Sequence, residues 1–285
     1  MRGMLMFAHN NDLFDYGKMA YASALSAVHY IEEPISLVTD DGTWSELVNS
    51  YPDAERLFGD PILIEHEKRN ERHFDLEDGT RKQALYHNLT RLRAYELSPY
   101  DETLLLDTDV LVQDSALRNV WNSTAIVRMN CNISNLVKKN PPDRIVKIGN
   151  HGLTSLWATI CYFRRCDAAK EFFNIAEYVA QNYNYYGALH QFSTGLLRVD
   201  YVMTIAAHIM SGYVPGSESV VTPLPGDDTV FAWNKDILVD VEKGRATFLA
   251  DVEGRKFPVS TYRTVHCMNK DSMMNMADRI IDQYA

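Results

Sequence analysis

The stretch Thr103-Leu104-Leu105-Leu106-Asp107-Thr108-Asp109-Val110-Leu111-Val112-Gln113-Asp114 decides how this chain reads. Leu104 to Leu106 form a continuous apolar run, the pattern of a strand covered on both faces. The run stops at Asp107 and Asp109, and a second apolar run, Val110 to Val112, follows directly. Two carboxylates between buried runs are costly unless something compensates their charge. A divalent cation does so, and oxygen ligands two residues apart at a strand end suit Mg²⁺ or Mn²⁺ held jointly with substrate phosphates. The same spacing also occurs in turns and helix caps. The flanking apolar runs favour the metal reading, and with it an enzyme acting on a nucleotide diphosphate.

Strands and helices alternate outward from this point. Met4 to Ala8 reads as a strand and Asp12 to Tyr30 as a helix, on which Leu13, Tyr16, Ala20, Ala24 and Ala27 recur near a 3.6-residue period. Ile35 to Thr39 is a second strand, Trp44 to Leu57 a helix, and Pro61 to Ile64 a third strand. Residues 66–80, charged and aperiodic, read as a loop, and Arg81 to Leu97 as a long helix leading into the Asp107 strand. Strands are also expected at Thr124–Met129 and Trp157–Phe163, with helices at Asp167–Gln181, capped by Asp167, and at Val199–Ile209. Residues 131–155 read as polar and irregular, and the tail from Tyr213 as loop-rich before a final helix near Asp271–Tyr284. The alternation predicts an α/β fold with a mostly parallel sheet flanked by helices. At 285 residues it fits one domain, with a nucleotide-binding part near 1–115 and an acceptor-side part near 116–285. In such a sheet ligands bind at the carboxyl ends of the strands. Ala8-His9-Asn10, Thr39-Asp40 and Asp107-Thr108-Asp109 all sit at predicted carboxyl ends.

Composition excludes some classes. The formal net charge is −10, so a broad nucleic-acid surface is not indicated, and the basic pairs such as Arg81-Lys82 and Arg164-Arg165 are short and scattered. Cys131, Cys161, Cys166 and Cys267 have no zinc spacing and read as free thiols. No apolar run reaches membrane-spanning length, and nothing resembles a signal peptide, so a cytoplasmic chain is expected and the three Asn-x-Ser/Thr sequons read as accidental.

The segment from Leu89 to Tyr100, followed by Asp101 to Val112, resembles the glycogenin-like glycosyltransferases, glycosyltransferase family eight, of GT-A fold. The resemblance implies that Asp107 and Asp109 bind Mn²⁺ (or Mg²⁺) on a nucleotide-diphosphate sugar, that Arg91 contacts the donor, and that Thr108 approaches the ribose. Met6 to Asp12, with Tyr16 and Ala20 to Ser26, is similar to the family's first strand, uridine loop and first helix. It places Ala8, Asn10 and Tyr16 at the nucleobase of a UDP donor. Thr264-Val-His-Cys-Met-Asn-Lys resembles a late histidine–lysine element, making His266 the third metal ligand and Lys270 the group that neutralises the diphosphate.

The middle departs from the pattern. Where the family often has Asn-Ser-Gly, this chain has Trp157-Ala158-Thr159, and His190-Gln191 lacks the acid that usually precedes the glutamine. Asp200 is the nearest downstream carboxylate able to replace it, and would serve equally as a helix N-cap. The reading is a metal-dependent glycosyltransferase, retaining by resemblance, with Asp200 and Lys270 as catalytic groups. The expected acceptor is a saccharide or other small hydroxyl compound. A modified DNA base is the less favoured acceptor, given the charge. Tyr183, Tyr185, Tyr186 and Trp157 are candidate stacking groups. The alternatives are an inactive nucleotide-sugar-binding protein and a nucleotidyltransferase. The loop His9-Asn10-Asn11-Asp12, with no glycine, argues against the latter.

Overall fold

A computed structural model describes residues 1–65, 70–75, 80–86, 89–131, 133–137, 147–149, 152–214, 220–224 and 229–285. In chain order the strands that build the centre begin with β1 (Arg2–Phe7), β2 (Ile35–Thr39) and β3 (Ile62–Leu63). A hairpin, β4 (Asn70–Asp75) and β5 (Arg81–Tyr86), precedes β6 (Glu102–Leu106) and the short β7 (Val110–Leu111). Next come β8 (Val127–Cys131), β9 (Ser134–Asn135), β10 (Lys147–Ile148), β11 (Leu153–Thr154) and β12 (Leu156–Arg164). The last third carries β13 (Val221–Leu224), β14 (Thr229–Ala232), β15 (Ile237–Glu242), β16 (Arg245–Val252), β17 (Arg255–Thr261) and β18 (Thr264–Cys267).

The central sheet has seven strands in the order β13-β8-β12-β6-β1-β2-β3. β1 is parallel to β2 and β6, β2 to β3, and β8 to β13. β12 is antiparallel to both β6 and β8, so it alone runs against the rest. The expected mixed, mostly parallel α/β sheet is therefore present. Its strands alternate between two cores. Met4, Met6, Leu104, Leu106, Ile160 and Tyr162 face one, packed on the helix Tyr16–Ile31. Leu5, Leu105, Cys161 and Phe163 face the other, packed on the helices Asp167–Gln181 and Val199–Met210. Burial on both faces explains why these strands read as unbroken apolar runs. Ala20, Ala22, Ala24 and Ala27 on the first helix are fully buried, and their small size lets its backbone lie close to the sheet.

Several boundaries move for local reasons. The first helix starts at Tyr16, not Asp12, because Asn11 Oδ1 accepts the amides of Leu13 and Phe14, at 2.9 Å each, and turns the chain before Asp15 caps it. Asp15→Ala removes the bond to the Lys18 amide at 2.8 Å. It should cost about 1 kcal/mol, read as a lower denaturant midpoint with an unchanged slope. The expected helix Trp44–Leu57 is two, Asp41–Ser50 and Ala54–Phe58. The break falls at Tyr51-Pro52, where proline lacks an amide hydrogen and clashes with the preceding turn. The helix Asp167–Gln181 has the expected extent, but Cys166 occupies its cap position and Asp167 lies in the first turn.

Two stretches are corrected outright. Residues 70–75 are a strand paired antiparallel with 81–86, where a loop and then a helix were expected. Residues 66–69 and 76–79 of that expected loop lie outside the described residues, as do 87–88 of the expected helix. Among the described residues of that expected helix, only Leu89–Arg93, as a tight 3₁₀ turn, and Ala94–Leu97 are helical. Of the tail expected to be loop-rich, residues 215–219 and 225–228 lie outside the described residues; in the rest, β15, β16 and β17 form an antiparallel sheet whose Leu238, Val241, Ala246 and Phe248 join the core. The expected irregular stretch 131–155 holds short strands at β9, β10 and β11, and its residues 132, 138–146 and 150–151 lie outside the described residues. Among the described residues no helix is long and apolar enough to cross a membrane.

Candidate active site

The order of the sheet reverses between β1 and β6, because β1 continues sideways to β2 while β6 begins the other half. A crevice opens at the carboxyl ends of such a pair. Here it is a cleft of about 1100 Å³ walled in part by His9, Tyr16, Arg91, Asp107, Asp109 and His266.

Backbone bonds on three sides fix the Asp107–Asp109 turn. The Asp107 amide donates to the Thr159 carbonyl on β12 at 3.0 Å, and the Cys267 amide donates to the Asp109 carbonyl at 2.8 Å. Beneath it, Ser23 donates to the Thr108 carbonyl at 2.6 Å, and Ser26 accepts the Val112 amide at 3.3 Å. Both serines lie on the first helix and are fully buried. The pairing of β18 with β7 sets His266 directly opposite Val110. That register brings a residue from the far end of the chain beside Asp109, with Nε2 at 3.5 Å from Oδ2. Ligand atoms of Asp107, Asp109 and His266 all lie within 4.8 Å of one another.

Positive charge converges on the same carboxylates. Lys270 forms an ion pair with Asp109, and its Nζ stands 5.6 Å from the Tyr16 ring centroid. Arg91 forms an ion pair with Asp107, and its Nη2 donates to the carbonyls of Ala158 and Thr159. Both cationic side chains are largely buried. Burial alone would push the Asp109 carboxyl up, but the charges of Lys270 and His266 outweigh it and hold Asp109 far below the ordinary carboxyl range. A depressed folded value stabilises the fold at pH above the unfolded carboxyl value of about 4. That contribution is lost as pH falls further, because the unfolded chain takes up a proton that folded Asp109 refuses. With metal chelated, the wild-type denaturant midpoint should fall steeply below that pH. Asp109→Asn should flatten this acid limb.

The other residues singled out in the sequence divide. Tyr16, Thr108 and Asp200 line the cleft with the metal cluster. Asp200 is not a helix cap: Arg198 holds that position, and Asp200 Oδ1 accepts the Ala158 amide at 2.8 Å. Ala8 and Asn10 are not among the walls. Asn10 is instead a loop tie, accepting the Gly17 amide and donating to Glu46, both at 2.9 Å. Gln191 ends the helix Tyr183–His190 in the left-handed region at φ 57° and is exposed away from the walls. Of the candidate stacking aromatics, Trp157 lines the cleft, whereas Tyr183 and Tyr186 are buried elsewhere. The Trp157-Ala158-Thr159 departure has a visible consequence: its carbonyls hold Arg91, and the Trp157 ring meets His266 edge-on at 5.9 Å.

Sequence reasoning missed the turn Trp233-Asn234-Lys235-Asp236, whose first three residues wall the cleft. The one available signal was local, an Asp three residues after Trp233 that accepts its amide at 2.6 Å.

No family model and no curated protein matches the chain. Solved structures do. The fold is that of the galactosyltransferase LgtC. The LgtC structure in complex with donor and acceptor sugar analogues superimposes with a TM-score of 0.52 at 14% identity, covering 100% of this chain and 95% of that one. An active-site mutant of the same enzyme gives a TM-score of 0.52 at 13% identity, over 99% of this chain and 95% of that one.

Proposed function

We propose that this chain transfers a sugar from a nucleotide-diphosphate sugar, with UDP as the first candidate nucleotide, to an acceptor hydroxyl. The observation that carries the reading is the Asp107–Asp109–His266 cluster, gathered at the sheet's switch point in a fold shared with a galactosyltransferase. Two carboxylates and an imidazole, with ligand atoms within 4.8 Å of one another, fit a divalent cation of the Mn²⁺ or Mg²⁺ type. Asp107, Asp109 and His266 would hold it, and when bound it supplies Lewis-acid stabilisation of the departing diphosphate.

The chain's own residues do the rest. Arg91 and Lys270 bring two positive charges to the place where negative charge develops on the leaving group. Their anchors, the β12 carbonyls and the carboxylates, fix that charge before donor binds, so little reorganisation is needed at the moment of transfer. Tyr16, which lines the cleft with Lys270 over its ring, is the candidate contact for the nucleobase. Asp200, across the cleft, orients sugar hydroxyls or steadies the positive character of the anomeric carbon. The retaining outcome follows from the family resemblance alone.

The test is a thermal-shift panel of UDP and UDP-sugars with and without MnCl₂. The midpoint should rise with UDP only when Mn²⁺ is present, by the linkage between binding and stability. A metal-independent shift, or no shift with any nucleotide, overturns the reading.

A further inference from the structure

The chain as a whole carries a net charge of −10, but its cleft is basic beyond the metal cluster. Besides Arg91 and Lys270, Arg72, Arg81, Arg198, Lys235 and Lys256 line the cleft, against the further carboxylates of Asp200 and Asp251, and Arg198 pairs with Asp200 at 3.7 Å. A concave surface lined by one sign of charge concentrates the potential of that sign and draws in opposite charge. Excess positive charge in the cleft of an acidic protein favours anionic groups there.

The same wall carries aromatic rings at a fixed spacing. Trp157 and Trp233 both line the cleft. They are joined through buried Phe231, with ring centroids 5.2 Å from Trp157 and 4.7 Å from Trp233. The direction in which this platform runs is set by strand order. In the four-stranded sheet β7-β18-β14-β9, Asp109 precedes β7, His266 lies on β18, and Trp233 follows β14. Trp233 and Lys235 are thus one strand beyond His266 and on the side away from Asp109. The charges assigned to the donor diphosphate, Arg91 and Lys270, sit at the carboxylates instead.

The turn that presents Trp233 and Lys235 is tied to its neighbours by hydrogen bonds. Buried Asp236 accepts the Trp233 amide at 2.6 Å and the Asp251 amide at 2.8 Å. Its carbonyl accepts from Asn269 at 3.2 Å, and Asn269 caps the helix that begins at Lys270. The Asp236 carboxylate therefore ties the platform to β16, and its backbone carbonyl ties it to the element carrying Lys270. Flat apolar rings pack on the faces of a sugar, and lysines lining the same cleft pair with a charge on it.

We infer that the region walled by Trp157, Trp233, Lys235 and Lys256 binds the acceptor, and that this acceptor is a saccharide bearing a carboxylate or phosphate. The inference rests on the transferase reading above and names its substrate class.

Isothermal titration calorimetry of the full chain with UDP and MnCl₂ present tests it. The probes are digalacturonate, glucose 6-phosphate and uncharged lactose. One or both anions should bind at least ~10-fold more tightly than lactose, with a preference that shrinks as salt is raised. The anion that binds more tightly identifies the charged group. Lys235→Glu with Lys256→Glu should erase the preference, as should the milder Lys235→Gln with Lys256→Gln, since both lysines are exposed and carry little of the fold. Equal or tighter binding of lactose, no binding of any probe, or a preference that survives both double variants overturns the inference. The UDP–Mn²⁺ thermal shift of the wild type is read separately. Its absence overturns the donor reading, whereas its presence with an uncharged preference overturns only the acceptor class.

Discussion

Asp107→Asn should lower Mn²⁺-dependent release of UDP from a UDP-sugar by at least ~10²-fold, the scale of losing one charge-stabilising group at a reacting centre. The fold should survive. The Asp107 side chain is about one-third exposed, and Arg91 keeps its bonds to the β12 carbonyls when the carboxylate is gone. Asp109→Asn should lose as much activity but also stability. Asp109 is almost fully buried, and its removal leaves Lys270 and His266 without the carboxylate that both face. Measuring turnover and the denaturant midpoint for both variants separates the two roles. Activity lost in both with stability lost chiefly in Asp109→Asn is the expected pattern. Full activity in Asp107→Asn would remove the basis of the proposed metal site.

The largest stability effect is expected at Phe163→Ala. Phe163 is fully buried on β12, its ring 5.0 Å from Phe173 and 6.0 Å from Tyr95. Truncation leaves a cavity between the central sheet and the helix Asp167–Gln181, at a cost of about 3–5 kcal/mol. β12 also carries the carbonyls that hold Arg91, so a partial collapse there should weaken UDP–Mn²⁺ binding as well. The denaturant midpoint and the UDP-dependent thermal shift should fall together. A change below about 1 kcal/mol would mean that this face of the sheet is not the packed core described.

The inner strands of the central sheet were legible because they read as apolar runs buried on both faces, as Leu104 to Leu106, Met4 to Met6 and Ala158 to Phe163 are; its edge strand β13 was not, and fell in a stretch read as loop. The pairing of residues 70–75 with 81–86 was not legible, since Arg72, Arg81 and their neighbours show no apolar alternation and nothing in the run announces pairing. β17 hid for a related reason: Arg255 to Pro258 are exposed, and a proline is an unusual strand residue outside an edge. In the candidate site, the Asp107–Asp109 pair could be read from its flanking runs. His266 and Lys270 could not be placed by spacing, because the β18–β7 register that brings them to Asp109 is a tertiary fact. Resemblance supplied that pairing. Asn10 sits at a strand end, where a ligand contact is expected, and its side chain bonds Gly17 and Glu46, ties that no local sequence signal announced.

The central claim is metal-dependent use of a nucleotide sugar, and release of UDP from UDP-sugars, followed with MnCl₂ and again with EDTA, tests it most directly. The account predicts slow release with Mn²⁺, no release with EDTA, and loss of the Mn²⁺-dependent rate in Asp107→Asn. Binding of UDP without any release across UDP-sugars and acceptors, or release that EDTA leaves unchanged, would contradict it.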